Sequence, residues 1–475
     1  MVTREGYGLP RRQAGGMPRL PAALRHSMTS PEEVRPHTES GDDSRRISML
    51  LGLLFGLAGM GSSSAAVTLP LLADDLGVDA GLAAWTISLY VLMLAVTTAL
   101  YGRISDLVGV RAPLLAGLVL MSIGALVAAL APTFEVLLGA RLVQGAGAAA
   151  VPTLGVAVLS ARYSGAVRGL AFGRLAGVAA AVSCLGPLIG GVVEASFGWR
   201  AVMALPIVGA LVVPFLWRAL STDGSGARLD VVGAVLVALT AAGMVLLVQS
   251  PSAGLVVAAI GAVLLVLGVP AVRATVRRRP DGFLPVEVIR NATVIRSAVA
   301  ASAVPASWFA MLIALPAVLL ADGWEAWQVG VAMVPSAVVA LLVPQITGPL
   351  LIRIGPARAL AVAGVVASLA LLVATAGAYW VSAPVLVVAI VLVTFAFGLG
   401  QPALSAVVGD AVDPEVRGVA LGVSTLLFLI GGSVGSAIIA GLSGPLGMPI
   451  ALLVLAVLPL LGLIVLRPTL PAEPS

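Results

Sequence analysis

A charged segment between two long apolar runs carries the side chains best suited to chemistry at a membrane face. It begins at Gly102 and ends at Arg111, with Asp106 as its carboxylate, Arg103 as a further cation and Gly109 as a second turn-forming glycine. A carboxylate near a helix end can bind both a helix dipole and a guanidinium. We therefore predict a gating latch formed by Gly102, Asp106, Gly109 and Arg111 at one mouth of a helix bundle. The alternative is a turn with ordinary surface charge.

A second ionisable position lies inside an apolar run. Arg141 is placed several residues into that run, and Gln144 follows three residues later on the same helical face. A charge near mid-membrane costs roughly 2.5–3.5 kcal/mol on insertion scales, so an arginine at this depth is expected to have a functional or structural role. We expect Arg141 to face a central cavity, where it would relay proton occupancy or hold an anionic partner. The alternative is that it extends towards the outer surface and pairs with Glu135.

A third run combines small residues with a proline. Small side chains let membrane helices approach each other, and a proline interrupts the hydrogen-bond ladder of a helix. This composition predicts a hinge, with static glycine packing as the alternative. The residues concerned are Gly177, Gly186, Pro187, Gly190 and Gly191.

Aromatic and uncharged polar side chains are scattered through the apolar runs. Such groups suit an amphipathic ligand bound near the midplane of a helix bundle. For each of them separately, plain helix packing is the alternative. The candidates for a substrate cavity are Ser62, Ser64, Gln144, Ser183, Trp308, Met311, Gln345, Phe397, Gln401 and Phe428.

Composition restricts the class of protein. The chain has 475 residues, of which 60% are hydrophobic and 10% charged, so its apolar side chains cannot all be buried in one soluble core. Its net charge of +5 comes from arginines between apolar runs, which indicates membrane topology and not nucleic-acid binding. Cys184 is alone and His26 and His37 lie near the N-terminus, which argues against a disulfide framework, a thiolate metal site and a histidine-based enzyme. We expect neither metal nor cofactor.

The positioning elements are helices that cross a bilayer. Each apolar run is about 20 residues long, which at about 1.5 Å per residue spans a hydrocarbon layer of ~30 Å. The sequence therefore predicts an all-α membrane protein with fourteen transmembrane helices, at about 48–70, 83–101, 112–131, 136–158, 168–192, 200–219, 229–249, 253–272, 293–320, 327–351, 358–379, 383–409, 418–441 and 447–466.

Charge asymmetry predicts the orientation. With the N-terminal tail inside, the inner segments carry sixteen arginines, whereas the outer segments carry Arg200 and several acidic residues. The excess of basic residues on one side predicts a multi-pass protein of the plasma membrane with both termini in the cytoplasm.

An internal repeat divides the chain. The segment that begins at Arg168 is similar to the one that begins at Arg417, 249 residues later, and each is followed at the same distance by a glycine, Gly186 or Gly435. We interpret this as two six-helix halves separated by an insert. The predicted divisions are a disordered tail (1–47), the N-terminal half (48–219), a two-helix insert with a basic cytoplasmic loop (220–292), the C-terminal half (293–467) and a short tail (468–475).

Four stretches resemble the major facilitator superfamily, specifically its fourteen-helix drug:proton antiporter branch, which includes tetracycline and multidrug exporters. They are Trp85–Tyr90 leading into Gly102–Arg111, Arg141–Gly147, Gly177 with Gly186–Gly191, and Gly198–Arg200. The resemblance implies a secondary transporter in the lipid bilayer that works by alternating access, and we expect it to be a monomer. Its partners would be protons and a hydrophobic or amphipathic small molecule, such as a drug, an antibiotic or a metabolite.

Two positions depart from the family pattern. Gly61 stands where the branch commonly has an aspartate, and Ser183 stands where the tetracycline exporters have a glutamate. The carboxylates that would carry a proton are therefore missing from both positions. This keeps open an uncoupled facilitator or lipid mover of the same fold, and a sensor or scaffold that no longer transports.

Overall fold

A computed structural model describes residues 41–78, 80–83, 85–220, 222, 231–279, 286–413 and 417–469. The predicted tail up to residue 40 lies outside this set, and so do the last six residues. The side chains of Arg103 and Asp106 are also outside the described residues, although the backbone at both positions belongs to a helix.

The described residues are helical almost throughout. The α-helices are α1 (Gly41–Leu76), α2 (Ala80–Ala83), α3 (Trp85–Val108), α4 (Arg111–Ala129), α5 (Phe134–Ala148), α6 (Ala150–Arg162), α7 (Gly165–Cys184), α8 (Gly186–Ala204), α9 (Val213–Leu216), α10 (Val231–Ala253), α11 (Leu255–Arg278), α12 (Val286–Arg290), α13 (Ala292–Ala321), α14 (Ala326–Ile354), α15 (Pro356–Tyr379), α16 (Ala383–Asp410), α17 (Arg417–Leu446) and α18 (Met448–Leu466).

The protein is an all-α membrane protein. Twelve helical segments within the described residues are long and apolar enough to cross a bilayer. One of them, Val167–Ala219, has 53 residues and is interrupted at Gly198, whose backbone is not helical, so we interpret it as two crossings. Helix α10 has 23 residues and packs against α11. We count α10 as a further crossing, because its length is sufficient to span the bilayer. This interpretation gives the fourteen helices that the sequence predicts.

Three boundaries differ from the prediction. Helix α3 continues to Val108, so Gly102 lies within the helix and the turn is formed at Gly109 alone of the two predicted turn glycines. Helix α1 begins at Gly41 and so includes residues that we assigned to the tail; Asp42 and Asp43 in its first turn interact favourably with the helix dipole. The predicted basic loop is partly helical, since α11 continues to Arg278. At the other end of the loop, the side-chain oxygen of Asn291 caps the start of α13.

Glycine backbones repeat between the halves. Gly109 and Gly355 end the second helix of their respective halves with φ of +79° and +81°. Gly198 and Gly447, which are 249 residues apart, have φ of +77° and +82° and begin the last helix of each half. The repeat therefore extends to backbone conformations that L side chains rarely adopt.

A substitution at Gly198 tests this conformation separately from packing. Its φ of 77° and ψ of 171° belong to a region that is essentially restricted to glycine, and an added Cβ would meet nothing within 4 Å. We expect Gly198→Ala to destabilise the protein by about 1–3 kcal/mol, because strain alone opposes it. Thermal unfolding in detergent measures the effect. Gly139→Ala is the control, since Gly139 is in helix α5 with equally open space; equal unfolding temperatures would contradict the prediction.

The two halves meet along two seams. At one, α3 packs against α17, and the Ser433 hydroxyl donates to the Val91 carbonyl oxygen at 3.2 Å. Helix α10 packs against both of these helices, so the insert covers this seam. At the other, α7 and α8 pack against α14. Arg162 contacts the start of α1 and Arg111 begins α4, and we call this side of the protein the Arg-rich face.

Candidate functional site: a buried arginine and a glycine seam

Arg141 is fully buried and is held by three helices. Its Nε donates to the Thr86 carbonyl oxygen on α3 at 2.8 Å, and one Nη donates to the Gly61 carbonyl oxygen on α1 at 2.7 Å. The other Nη donates to Gln144 Oε1 at 2.7 Å. The guanidinium lies 4.4 Å from the centre of the Tyr90 ring, within cation–π range.

Glycines allow the helices around Arg141 to come this close. A Cβ on Gly124 of α4 would lie 2.5 Å from the Gln144 backbone nitrogen of α5. A Cβ on Gly145 would overlap the Tyr90 backbone of α3. Backbone contact at both positions therefore draws α3 and α4 onto α5 and encloses the arginine.

Within the part of the chain that the structure describes, the surroundings of Arg141 are rich in donors and lack a buried acid. Among the buried side chains of the described residues, Arg141 is the one that carries a charge. Gly61 offers only its carbonyl, where the branch commonly has a carboxylate. The Gln144 Nε2 donor and the Thr86 hydroxyl are buried without a hydrogen-bond partner. A buried cation with spare donors beside it favours an acceptor or an anion as an additional partner.

The predicted latch is partly described. Arg111 donates to the carbonyl oxygens of Trp217 and Leu220, both at 3.0 Å, and its guanidinium lies 4.7 Å from the centre of the Trp217 ring. It therefore ties α4 to the end of the sixth crossing of the same half. Gly109 ends α3, and Gly102 lets α3 approach α6. The Asp106 carboxylate is outside the described residues, so its part in a latch stays a prediction.

The predicted hinge coincides with a break between two helices. Helix α7 ends at Cys184 and α8 begins at Gly186, immediately before Pro187. Helix α17 continues through Ser436, the equivalent of Pro187, without interruption. The two halves are thus asymmetric at this depth, and the proline accounts for the difference.

The hinge glycines pack in two directions. A Cβ on Gly186 or Gly190 would meet Ser63 or Ser64 of α1, inside the N-terminal half. By contrast, Gly177 lies against Ala340 and Pro344 of α14, and Gly191 lies against Ala326 and Trp327. From the other half, Gly330 of α14 lies against the Leu188 backbone. We call Gly177, Gly191 and Gly330 the glycine seam.

The candidates for a substrate cavity fall into separate groups. In the N-terminal half, Ser62, Ser64 and Ser183 are buried, and the first two donate to carbonyl oxygens of their own helix. Gln144 is bound to Arg141. These polar side chains lie along α1, α5 and α7; Gln144 is the one of the four for which a contact with the buried arginine is shown.

The C-terminal group is an aromatic cluster. Trp308 stacks on Phe397 with ring centres 4.5 Å apart, and Phe397 contacts Phe428 at 5.8 Å. The Trp308 indole also donates to Thr394, and Met311 is buried close to it in sequence. These side chains form part of the core of the C-terminal half.

Two glutamine candidates differ in their surroundings. The Gln401 Oε1 acceptor is buried and has no hydrogen-bond partner. Gln345 is exposed on α14, on the stripe that includes Leu341 and Ile346, so the structure does not bring it together with the buried candidates. Sequence reasoning missed Tyr90 and Thr86, although their spacing of four residues within the Trp85–Tyr90 stretch places them on one helical face.

A polar cluster joins three segments at the face opposite the Arg-rich one. Arg200 Nη1 and Asp75 Oδ2 form an ion pair at 2.6 Å, and the Trp199 indole donates to the same carboxylate oxygen. Arg200 also donates to the Ala131 carbonyl oxygen at 3.4 Å. The stretch Gly198–Arg200, which the sequence identifies as a motif, thus connects the end of α1 with the segment between α4 and α5.

Relatives of this chain match it over different shares of its length. The cephamycin export protein CmcT of Amycolatopsis lactamdurans is 29% identical over 406 residues, which is 80% of each protein. The methylenomycin A resistance protein of Streptomyces coelicolor is 33% identical over 175 residues, 36% of this chain and 37% of that protein. The similarity therefore includes proteins named for antibiotic export and resistance.

Solved structures share the fold. The human organic anion transporter MFSD10 (TETRAN) superposes with a TM-score of 0.64 at 18% identity, covering 89% of this chain and 99% of that one. A POT family transporter in complex with 5-aminolevulinic acid gives 0.62 at 15% identity, covering 90% and 96%. The family model of the Major Facilitator Superfamily matches residues 51–436 and 298–475. The chain therefore belongs to the major facilitator superfamily.

Proposed function

We propose that this chain is a secondary active transporter that exports a hydrophobic or amphipathic small molecule, such as a drug, an antibiotic or a metabolite, from the cell. The observation that carries the proposal is Arg141, a charge enclosed by three helices of one half and bordered by unsatisfied polar groups. An intramembrane charge of this kind is functional by default. The export and resistance names of the two relatives support the direction of transport and the substrate class.

The orientation belongs to the same proposal. The Arg-rich face would lie in the cytoplasm together with both termini, since basic residues are retained on that side of a plasma membrane. Transport would follow alternating access, in which the halves rock around a midplane site and the chain works as a monomer. The glycine seam supports this, because bare backbones in contact can separate and meet again without side chains having to interlock.

Proton antiport is the coupling that we propose. A guanidinium keeps its proton in proteins, so Arg141 would act as a fixed charge that responds to occupancy and would not itself deliver the proton. The exchangeable proton would use Asp106 together with Arg141, or water that reaches Gln144. The family to which the chain belongs transports and does not catalyse, so we assign no enzymatic role.

Gly61 and Ser183 favour a second candidate, an uncoupled facilitator or lipid mover of the same fold, because neither position supplies a carboxylate. Flux of a labelled cephamycin into proteoliposomes, with and without an imposed pH gradient, separates the two. Antiport requires accumulation that depends on the gradient. Loss of this accumulation in Asp106→Asn would assign the proton to that carboxylate, and its retention would leave the water route to Gln144. Equilibration of the substrate that does not depend on the pH gradient would support the uncoupled facilitator. The absence of flux for this and other drugs would favour a sensor or scaffold.

Restoring the missing acid gives a sharper prediction. A Cβ on Gly61 would lie 3.2 Å from Pro206 and 3.3 Å from the Tyr90 hydroxyl, which is tight but needs a shift of only a few tenths of an ångström. We expect Gly61→Asp to place a carboxylate beside Arg141 and to increase gradient-driven accumulation, because a carboxylate can take up and release a proton whereas the guanidinium cannot. Gly61→Asn is the matched control. If the two variants accumulate substrate equally, the added charge has no role in coupling.

A further inference from the structure

An open groove runs along the outside of the N-terminal half. It has a volume of about 1130 Å³ and lies between the start of α1, the first two-thirds of α4 and residues 210–219. No motif or relative assigns it a role. Its lining includes Asp43, Arg46, Val119, Ile123, Phe215 and Arg218.

The groove exists because the sixth crossing is irregular where it faces α4. Residues Leu205–Val212 form a 3₁₀-helix, and only four residues, Val213–Leu216, return to the α form. Pro206 and Pro214 each remove a backbone N–H donor, which weakens the α-helical hydrogen-bond ladder in this segment and favours the 3₁₀ form. Arg111 then fixes its end to α4 through the Trp217 and Leu220 carbonyls.

One end of the groove has an excess of positive charge. Arg46, Arg162 and Arg218 line it together with a single acid, Asp43. Asp43 is already engaged, since it pairs with Arg162 at 3.3 Å and accepts from the Tyr163 hydroxyl at 3.1 Å. Burial raises the pKa of Tyr163 to about 12, so the phenol stays a neutral donor and adds no negative charge. Two guanidinium groups beyond the ion pair are therefore left to attract an anion.

The other part of the groove is apolar and exposed. Val119 is 56% exposed, Ile123 50% and Phe215 64%. From Arg111 to Ile123, helix α4 rises about 18 Å, which exceeds half of a ~30 Å hydrocarbon layer. The groove thus leads from the charged level of the Arg-rich face down to the depth of acyl chains.

We propose that this groove binds an anionic phospholipid from the leaflet at the Arg-rich face. Its phosphate would lie between Arg46 and Arg218, where charge-assisted hydrogen bonds are available to both of its free oxygens. One acyl chain would follow Val119, Ile123 and Phe215. Free phosphate would bind the arginines but would leave the apolar wall uncovered. A phospholipid matches both parts, because its headgroup lies at the depth of the arginines and its acyl chain at the depth of the apolar wall.

Lipid binding to the purified full-length protein tests the proposal. Native mass spectrometry in detergent would measure binding of phosphatidylglycerol, phosphatidylcholine and inorganic phosphate. We expect phosphatidylglycerol to bind more tightly than phosphatidylcholine. Arg46→Gln combined with Arg218→Gln should weaken its binding about 30-fold, since each arginine near a membrane surface contributes about fivefold. Val119→Trp should weaken it as well, by filling the apolar part.

Controls separate the site from general effects of charge. Arg353→Gln removes an exposed arginine at the end of α14 and should leave lipid binding unchanged. Thermal unfolding of each variant without added lipid shows whether it is folded. The proposal is overturned if both lipids bind equally, if phosphate competes with phosphatidylglycerol at similar concentration, or if the double arginine variant binds as the wild type does.

Discussion

Replacing Arg141 with methionine is expected to abolish export while changing thermal stability by only a few degrees. A buried guanidinium without a carboxylate costs desolvation energy that methionine would avoid. The Gly61 and Thr86 carbonyls that accept from it belong to helices and keep their helical hydrogen bonds. For transport, loss of a charge-assisted interaction of about 3 kcal/mol corresponds to a rate about a hundredfold lower.

Export rates in proteoliposomes and unfolding temperatures in detergent measure the two effects on the same preparations. Arg141→Lys keeps the charge but has fewer donors in another geometry, and it should retain a small fraction of the rate. Arg353→Met controls for the loss of an arginine elsewhere. Wild-type export by Arg141→Met would show that the arginine only packs, and simple unfolding of that variant would show that it is structural.

Gly330→Ala is expected to open the glycine seam. A Cβ at this position would overlap the Leu188 backbone, which cannot rotate away as a flexible side chain could. Overpacking of this kind costs about 1–3 kcal/mol, and at 2 kcal/mol the balance between closed and open states shifts about 30-fold. We therefore expect the variant to populate the open state and to lose most of its export.

Spin labels at Ser196, which is exposed just before the break at Gly198 in α8, and at Asp322, which is exposed at the end of α13, would report the separation of the halves by pulsed electron resonance. Cys184→Ser supplies the background, because the chain has a single cysteine. Gly139→Ala, with nothing near its Cβ, is the matched control. An unchanged distance distribution in Gly330→Ala would mean that this contact does not control opening.

The sequence predicts the helices well because the length of an apolar run is a direct physical requirement of the bilayer. The positions of Gly109 and Gly198 at helix ends followed from their place between such runs. Gly102 was predicted as a turn but lies inside α3, because the charged residues after it continue the helix to Val108. The start of α1 was harder to predict from the sequence, since Asp42 and Asp43 extend the helix beyond its apolar part. Hydropathy detects the spanning segment and not the solvated turns that precede it.

The arrangement of the site was harder to predict, because membrane helices are apolar on every side and the sequence does not show which side faces protein. Trp308, Phe397 and Phe428 were grouped with serines of the other half, whereas the structure packs them in their own core. Gln345 lies on an exposed stripe. For Arg141, the choice between the interior and Glu135 depended on whether neighbouring backbones could come close, which Gly124 and Gly145 permit.

Arg141, the one charged side chain among the buried described residues, also bears on how the membrane voltage acts on this protein. Moving one charge through the whole bilayer is worth about 2.3 kcal/mol per 100 mV, but a rocking half would carry Arg141 through only about a tenth of that field, or roughly 0.2 kcal/mol. The empty carrier should therefore return at a rate that hardly depends on voltage. Any electrogenic behaviour would then come from the cargo and the ions that travel with it.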